Sequence, residues 1–411
     1  MALVSFSLVR RGGACALAAA AAALALSPAA PRKPDGPSAA RAQSVAPRLA
    51  GCPMLPPDDI WNTRVDQLPV HARSAAWIRS IGPDTGLHAD FGSGLWNGGP
   101  IGIPYVVVPG TQPKVPLRFE YADESDPGPY PIPPDAPIEG GPQSDGDRHI
   151  LVLDKDNCRL YETWSTYPEG GGWRAGSGAI FDLNSSKLRP DGWTSSDAAG
   201  LPVLPGLLRY DEVAAGAVRH AIRFTVQRSQ RAYLWPARHF ASSIRDPDVP
   251  PMGARLRLKA GVDLSRFSPP VRVILQGFKD YGLLLADNGS NWFISGVPDE
   301  RWNNDLLREL RNVHGSDFEV VDASGLMIDP DSGRARQPGG GEPPTAEPTT
   351  EPTEAPTALP TEPSTATATP PAPLTETVVP EPSATPKVAI GTAVAADDPR
   401  LYLPLLARER R

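Results

Sequence analysis

The sequence predicts a mainly β fold, an antiparallel β-sandwich of jelly-roll kind with a few peripheral α-helices, and three observations carry that expectation. Between residues 53 and 323, short runs alternate apolar and polar side chains at period two, the signature of half-buried strands. Proline and glycine break the first half of that region about every ten residues, which suits many short strands better than long helices. No regular strand-helix alternation is present, which argues against a parallel α/β sheet and leaves a closed barrel as the competing architecture. The region has no internal repeat, and about 270 residues suffice for one large domain with a single core.

The first strands are expected over 101–109, around Tyr105-Val106-Val107-Val108, and over 115–121. Ile150–Asp154 and Arg159–Trp164 flank the short turn Lys155-Asp156-Asn157-Cys158 and should form a hairpin. Over 218–227, Val218, His220, Ile222, Phe224 and Val226 share one face, while Arg219, Ala221, Arg223, Thr225 and Gln227 share the other. The run 255–260 repeats the scheme, with Leu256 and Leu258 inward and Arg255, Arg257 and Lys259 outward. Asp287-Asn288-Gly289 has hairpin-turn chemistry between strands at 283–286 and 292–295. Two helices stand out. Ser268 can cap one that begins at Pro269, stacks Val271, Ile274, Leu275 and Phe278 on one face and stops near Gly282. Trp302, Leu306, Leu307 and Leu310 trace the second.

The two ends place the chain outside the cell. Arg10 and Arg11, an apolar run from Ala14 to Leu26 and then Ser27-Pro28-Ala29 read as a signal peptide within a 1–42 processing region, with cleavage after Ala29 or Ala42. The glycines after the arginine pair favour the general secretory route over twin-arginine export. Residues 342–386 are almost wholly Pro, Thr, Glu, Ala and Ser, within a 324–399 linker that cannot bury enough apolar surface to offset its chain entropy. A 400–411 tail, with Leu401-Tyr402-Leu403-Pro404-Leu405-Leu406 ahead of arginines, resembles the sorting tails of secreted bacterial proteins and would hold the protein at the cell envelope. Neither end is long and apolar enough for a transmembrane helix, which takes about 20 such residues. Leu49-Ala50-Gly51-Cys52 matches a lipobox, but a polar stretch separates it from the apolar run. Cys52 and Cys158 remain as the mature cysteines, and in an exported chain they are expected to pair. Closing a loop of about a hundred residues is worth on the order of 4 to 5 kcal/mol in the chain-entropy account.

Three segments, Asp191-Gly192-Trp193-Thr194-Ser195-Ser196-Asp197-Ala198-Ala199-Gly200-Leu201-Pro202, Ala286-Asp287-Asn288-Gly289-Ser290-Asn291-Trp292 and Gly315-Ser316-Asp317-Phe318-Glu319-Val320-Val321-Asp322, resemble those of a group of uncharacterised secreted bacterial proteins. The resemblance covers the body, about 53–323, and implies its extent and no particular reaction.

The chemistry must therefore come from the residues. His220 lies on the apolar face of its strand, either as a hydrogen-bonded core histidine or as the lining of a pocket. Glu162 shares a face with Leu160 and Trp164, so burial should raise its pKa as a general acid requires, unless a cation pairs with it. His149 opens the partner strand. Glu162, His149, His220 and Asp191 are thus the candidate acid-base residues. His88, Asp90, Trp96, Trp164 and Trp193, in or beside Gly-rich loops, suit a polysaccharide site in which aromatic faces stack on sugar rings while carboxyls act on the glycosidic bond. Arg219 and Arg223 belong to an arginine-rich span from 219 to 259 that would offer a basic sheet face to an anionic polysaccharide. Nucleic acid does not suit an exported chain with a formal charge of −7. No cofactor motif is present, and the acidic turn Asp123-Glu124-Ser125-Asp126 is the one place where Ca2+ is considered. The expectation is a cell-surface polysaccharide hydrolase or lyase, with a non-catalytic glycan-binding or adhesion protein as the alternative.

Overall fold

The structure is a computed structural model that describes residues 46–337. The expected signal peptide, the stalk from residue 338 onward and the 400–411 tail lie outside the described residues. The fold is mainly β, with several sheets and few helices. The largest sheet has six strands in the order Phe318–Val321, Arg255–Leu258, Leu283–Asn288, Ile222–Val226, Phe293–Ser295 and His88–Asp90. A four-stranded sheet runs Ser177–Asp182, Arg159–Trp164, Ile150–Asp154 and Tyr105–Val108, and a three-stranded one Tyr167–Glu169, Gly172–Ala175 and Leu117–Phe119.

The four-stranded sheet is buried on both faces. Leu151, Leu153 and Leu160 join a core with Phe224, Leu285 and Phe278, whereas Ile150, Val152 and Tyr161 join a second core with Tyr130, Ile132 and Trp173. The expected hairpin is present, in register from Ile150↔Thr163 to Asp154↔Arg159. Its turn is held by the Asp154 carboxylate, which accepts hydrogen bonds from the amides of Asp156 and Asn157.

The sheets are mixed where the sequence suggested antiparallel pairing. Ile222–Val226 pairs parallel with Leu283–Asn288, as do Phe293–Ser295 with His88–Asp90 and Tyr105–Val108 with Ile150–Asp154. The connection from Ile222–Val226 back to a parallel neighbour carries helix Pro269–Asp280, the kind of long crossover that parallel strands require. The strands at 283–288 and 293–295 are consequently not a hairpin: both pair with Ile222–Val226, which lies between them. All five residues of Ile222–Val226 are buried, so Arg223 and Thr225 face protein instead of solvent. A strand covered on both faces has no polar side to show.

Helix Pro269–Asp280 buries Val271, Ile274, Leu275 and Phe278 as its spacing implied, although the Ser268 side chain makes no capping hydrogen bond. Gly282, at φ +73°, ends this segment where a Cβ would meet the Leu256 carbonyl at 2.0 Å, so glycine is required there. The second helix is short, Asn304–Leu307, and continues as a 3-10 turn. Cys52 and Cys158 form a disulfide of 2.07 Å across a separation of 106 residues. The packed chain also runs past the expected boundary at 323. Ala335 is buried, the Trp235 indole donates to the Ser332 carbonyl and Arg238 binds the Pro330 carbonyl and Asp331. Among the described residues no helix is long and apolar enough to cross a membrane.

Candidate functional site

The site grows from one arginine in the wrong place for a strand. Arg223 sits between Ile222 and Phe224 in the large sheet and must find partners there, because a buried charge without them is costly. Its Nε and Nη2 hold Asp197 in a two-pronged contact at 2.8 and 2.9 Å, Nη2 also reaches Asp287 at 2.8 Å, and Nη1 donates to Ser295 at 2.7 Å. Asp197 is fully buried, whereas the Asp287 side chain keeps 18 % of its exposure.

Beside this knot the residues before Ile150 bring in a second group. Arg148 adopts a left-handed backbone at φ +53°, and its buried guanidinium binds the carbonyls of Thr166, Pro142 and Ser144. Those bonds stabilise a conformation that costs of order 1 kcal/mol for a residue with a Cβ. On either side of it, Asp147 and His149 converge with Glu139, and one ligand-type atom from each lies within 4.8 Å of the others. His149 Nδ1 is 2.6 Å from Glu139 Oε2, and Nε2 is 2.9 Å from the Ser196 carbonyl, which can only accept. The imidazole therefore carries hydrogen on Nε2, and on Nδ1 as well when it meets the carboxylate. Burial lowers its pKa, but the charge and hydrogen bond of Glu139 outweigh that and lift it to about 10. Burial raises Glu139, yet His149 and then Arg223 hold the carboxyl below its ordinary range. Asp147 accepts from the Trp164 indole at 3.1 Å.

Asp90 completes the group from the edge strand. Its side chain is exposed and has no hydrogen-bond partner among the described residues. Even so, the surrounding protein, and then the charge of Glu139, push its carboxyl up to about 6 against the pull of Arg223. Solvent reaches Asp90, and that water screens part of the shift. Asp287 is likewise raised by burial and by Asp197 despite Arg223. Five carboxylates, Asp90, Glu139, Asp147, Asp197 and Asp287, thus interact with two cations, Arg223 and His149. The arrangement can hold a proton on one carboxyl while keeping its neighbour ionised.

Glu162 lies behind this group and is fully buried. Among the described residues it pairs with no cation. Its oxygens accept from the amides of Val203 and Leu204, both at 2.9 Å, and from the Ser196 hydroxyl at 3.0 Å. Burial lifts its pKa to about 7 against those three hydrogen bonds. Ser196 thereby links Glu162 to His149, so the two approach each other as the sequence implied, but in the interior and not in an open pocket.

Other sequence candidates lie elsewhere. His220 belongs to a separate closed cluster, with Nε2 3.1 Å from Glu212 and Nδ1 2.8 Å from the Ala221 carbonyl. Asp191 is exposed and accepts from the Tyr233 hydroxyl. Trp193 lies 5.5 Å from the Arg189 guanidinium, and His88 stacks on Phe293 at 4.1 Å, where burial and Arg311 lower its pKa to about 4. Trp96 is 62 % exposed, on a hairpin with Gly99–Pro100. The strand arginines do not share one solvent face: Arg223 is buried, Arg255 donates to the carbonyls of Tyr281, Ile60 and Thr63, and Arg257 pairs with Glu319, whereas Arg219, Arg228, Arg231, Arg245 and Lys259 are exposed. In the acidic turn considered for Ca2+, Asp126 binds Arg189 and the Ile180 amide while Glu124 accepts from Thr194, so two of its carboxylates are already engaged by the chain.

Glu139, Asp147 and His149 are the described residues grouped as metal ligands would be. The 2.6 Å contact between Nδ1 and Glu139 is that of a direct charge-assisted hydrogen bond, which leaves no room for an ion between them. The donor set as placed fits an ion pair and not a metal centre. Comparison with known proteins finds no matching family model, and no match among curated proteins or solved structures.

Proposed function

We propose that this protein is an exported, cell-envelope-associated polysaccharide hydrolase whose chemistry lies at Asp90, Glu139 and Asp147. The observation that supports the reading is the opposed bias of two interacting carboxyls: Asp90 is reached by solvent and biased to keep its proton, whereas Glu139 is held ionised by His149. Glycosidic cleavage needs one carboxyl to protonate the leaving oxygen and another, ionised, to assist attack at the sugar carbon. Asp90 takes the first role and Glu139 the second. His149 is a positioning residue, locked as a cation by its two hydrogen bonds, and Glu162 steadies it through Ser196. The core shared by the two larger sheets suits the leaves of a sandwich as scaffold, and the chain termini suit export and attachment.

A glycan-binding or adhesion protein is the second reading, favoured by the exposure of Trp96 and Leu95, which would stack on sugars without any chemistry. The deciding experiment measures release of reducing ends from a panel of neutral, amine-bearing and anionic polysaccharides by the full chain, Asp90→Asn and Glu139→Gln. Release by the parent, lost in both variants at an unchanged melting temperature, supports the hydrolase. Binding without release supports the alternative.

A further inference from the structure

We infer that Asn97-Gly98, at the tip of the hairpin Leu95–Trp96 with Gly99–Pro100, is a self-modification site, where water converts the side-chain amide to aspartate and isoaspartate without an enzyme. The inference does not depend on the hydrolase reading. The Gly98 nitrogen attacks Asn97 Cγ, its proton passes to solvent, and the bond from Cγ to Nδ2 breaks as ammonia leaves, so that a cyclic imide forms. Water then opens the ring at either carbonyl. One opening gives aspartate, and the other reroutes the main chain through Cγ and gives isoaspartate, so the reaction consumes water and releases ammonia. A glycine after the asparagine has no Cβ to block the approach of its nitrogen.

The sequence holds this dipeptide twice, and the fold protects one copy. At Asn288-Gly289 the attacking nitrogen is committed, because the Gly289 amide donates to the Val226 carbonyl at 2.9 Å. The leaving amide is held as well: Asn288 Nδ2 donates to the Ala241 carbonyl at 3.0 Å, and the residue is half-buried at the end of strand Leu283–Asn288, in register with Val226. At the hairpin tip neither restraint is present. Asn97 and Gly98 are both exposed, and among the described residues neither the Gly98 amide nor the Asn97 side chain makes a hydrogen bond. Their φ angles of +49° and +87° are those of a two-residue hairpin turn, closed by the Trp96↔Gly99 pair. That turn has to open before Gly98 can swing onto Cγ, and the strands that hold it are only two residues each. So short a ladder opens locally at small cost. Conversion puts a carboxylate beside the exposed Trp96, and the isoaspartyl form adds a main-chain carbon just ahead of Gly99. The chain has no slack there: a Cβ at Gly99 would lie 2.0 Å from the Gly140 carbonyl carbon, so the added atom disturbs the hairpin's seat on the residue after Glu139.

The test incubates the full chain in heavy-oxygen water at mildly alkaline pH, both folded and unfolded in urea, and reads label incorporation peptide by peptide with aspartate and isoaspartate separated. In the folded chain Asn97 should convert at least about tenfold faster than Asn288, the protection that a hydrogen-bonded strand end has over a tip that opens locally, and in urea the two rates should converge. Both aspartate and isoaspartate should appear at residue 97. An Asn97 that stays intact in the folded chain, or an Asn288 that reacts there as fast as Asn97, would overturn the inference.

Discussion

The protein contains the same pair twice, and only one copy is left unbalanced. His149 with Glu139 and His220 with Glu212 are both buried imidazoles that give one nitrogen to a backbone carbonyl and the other to a carboxylate. Around His220 the charges close. Arg209 binds Glu212 and the carbonyls of Leu204 and Leu207, and Glu212 in turn caps helix Tyr210–Ala214 by accepting from the Arg209 amide. Burial raises the Glu212 carboxyl, but Arg209 and then His220 outweigh it and hold the pKa at about 2. Around His149 the charges do not close, because Asp90 and Asp147 add negative charge to Glu139 and solvent reaches Asp90. A histidine-carboxylate pair is thus a strut where its surroundings neutralise it. Where they leave charge over and admit water, it is the pair to which the proposed chemistry is assigned.

That contrast can be broken by substitution. Asp90→Asn and Glu139→Gln should each lower turnover by about 10³-fold, the scale of a lost general acid or base. Glu212→Gln should leave turnover per folded molecule at the parent value. A similar loss from Glu212→Gln, with its fold intact, would erase the distinction. In stability the order reverses. Glu212→Gln abandons Arg209 in the interior and should cost about 3 kcal/mol in urea unfolding, more than Asp90→Asn, whose side chain is exposed.

Stability against pH sharpens the comparison, because the groups shift in different directions. Glu212 is depressed to about 2, so its contribution is present above the ordinary carboxyl value near 4.5 and is lost as pH falls toward 2. His149 is raised to about 10, so its contribution is full below 6.5 and is lost as pH rises toward 10. Melting temperatures from pH 2 to 10 should show Glu139→Gln removing the alkaline loss and Glu212→Gln removing part of the acid loss. Glu162 gives an effect opposite in sense to that of Glu212. Its carboxyl is raised to about 7, so the folded state binds the proton more tightly and stability declines as pH climbs from about 4.5 to 7. Glu162→Gln keeps an acceptor for the amides of Val203 and Leu204 and should flatten that decline.

Several of these features were legible in the sequence and several were not. The hairpin at Lys155–Cys158 and the helix after Ser268 follow from local turn chemistry and from the spacing of Val271, Ile274, Leu275 and Phe278. The Cys52–Cys158 bond follows from cysteine usage in an exported chain. The burial of Glu162 was readable from its neighbours Leu160 and Trp164, but its partners are backbone amides of Val203 and Leu204, which leave no mark in a pattern of side chains. Period-two spacing puts Arg223 on a solvent face because it assumes one wet side, and this strand has none. Its carboxylates come from 26 and 64 residues away. Glu139 and Asp147 sit in loops without periodicity. The local sign is Asp147-Arg148-His149, with a carboxylate and an imidazole two residues apart, and an arginine inside an apolar strand itself implies buried acids.

The most direct test of the central claim is the pH dependence of turnover on a cleaved polysaccharide by the full chain, between pH 3 and 8. Asp90 as acid requires activity to fall as pH rises above the ordinary carboxyl range, and Glu139 as ionised carboxylate requires it to fall again toward low pH, below that range. The account expects that bell, with its alkaline limb absent from whatever activity Asp90→Asn retains. A rate that stays level from pH 5 to 8, or an Asp90→Asn variant that keeps the parent's alkaline limb, would contradict it.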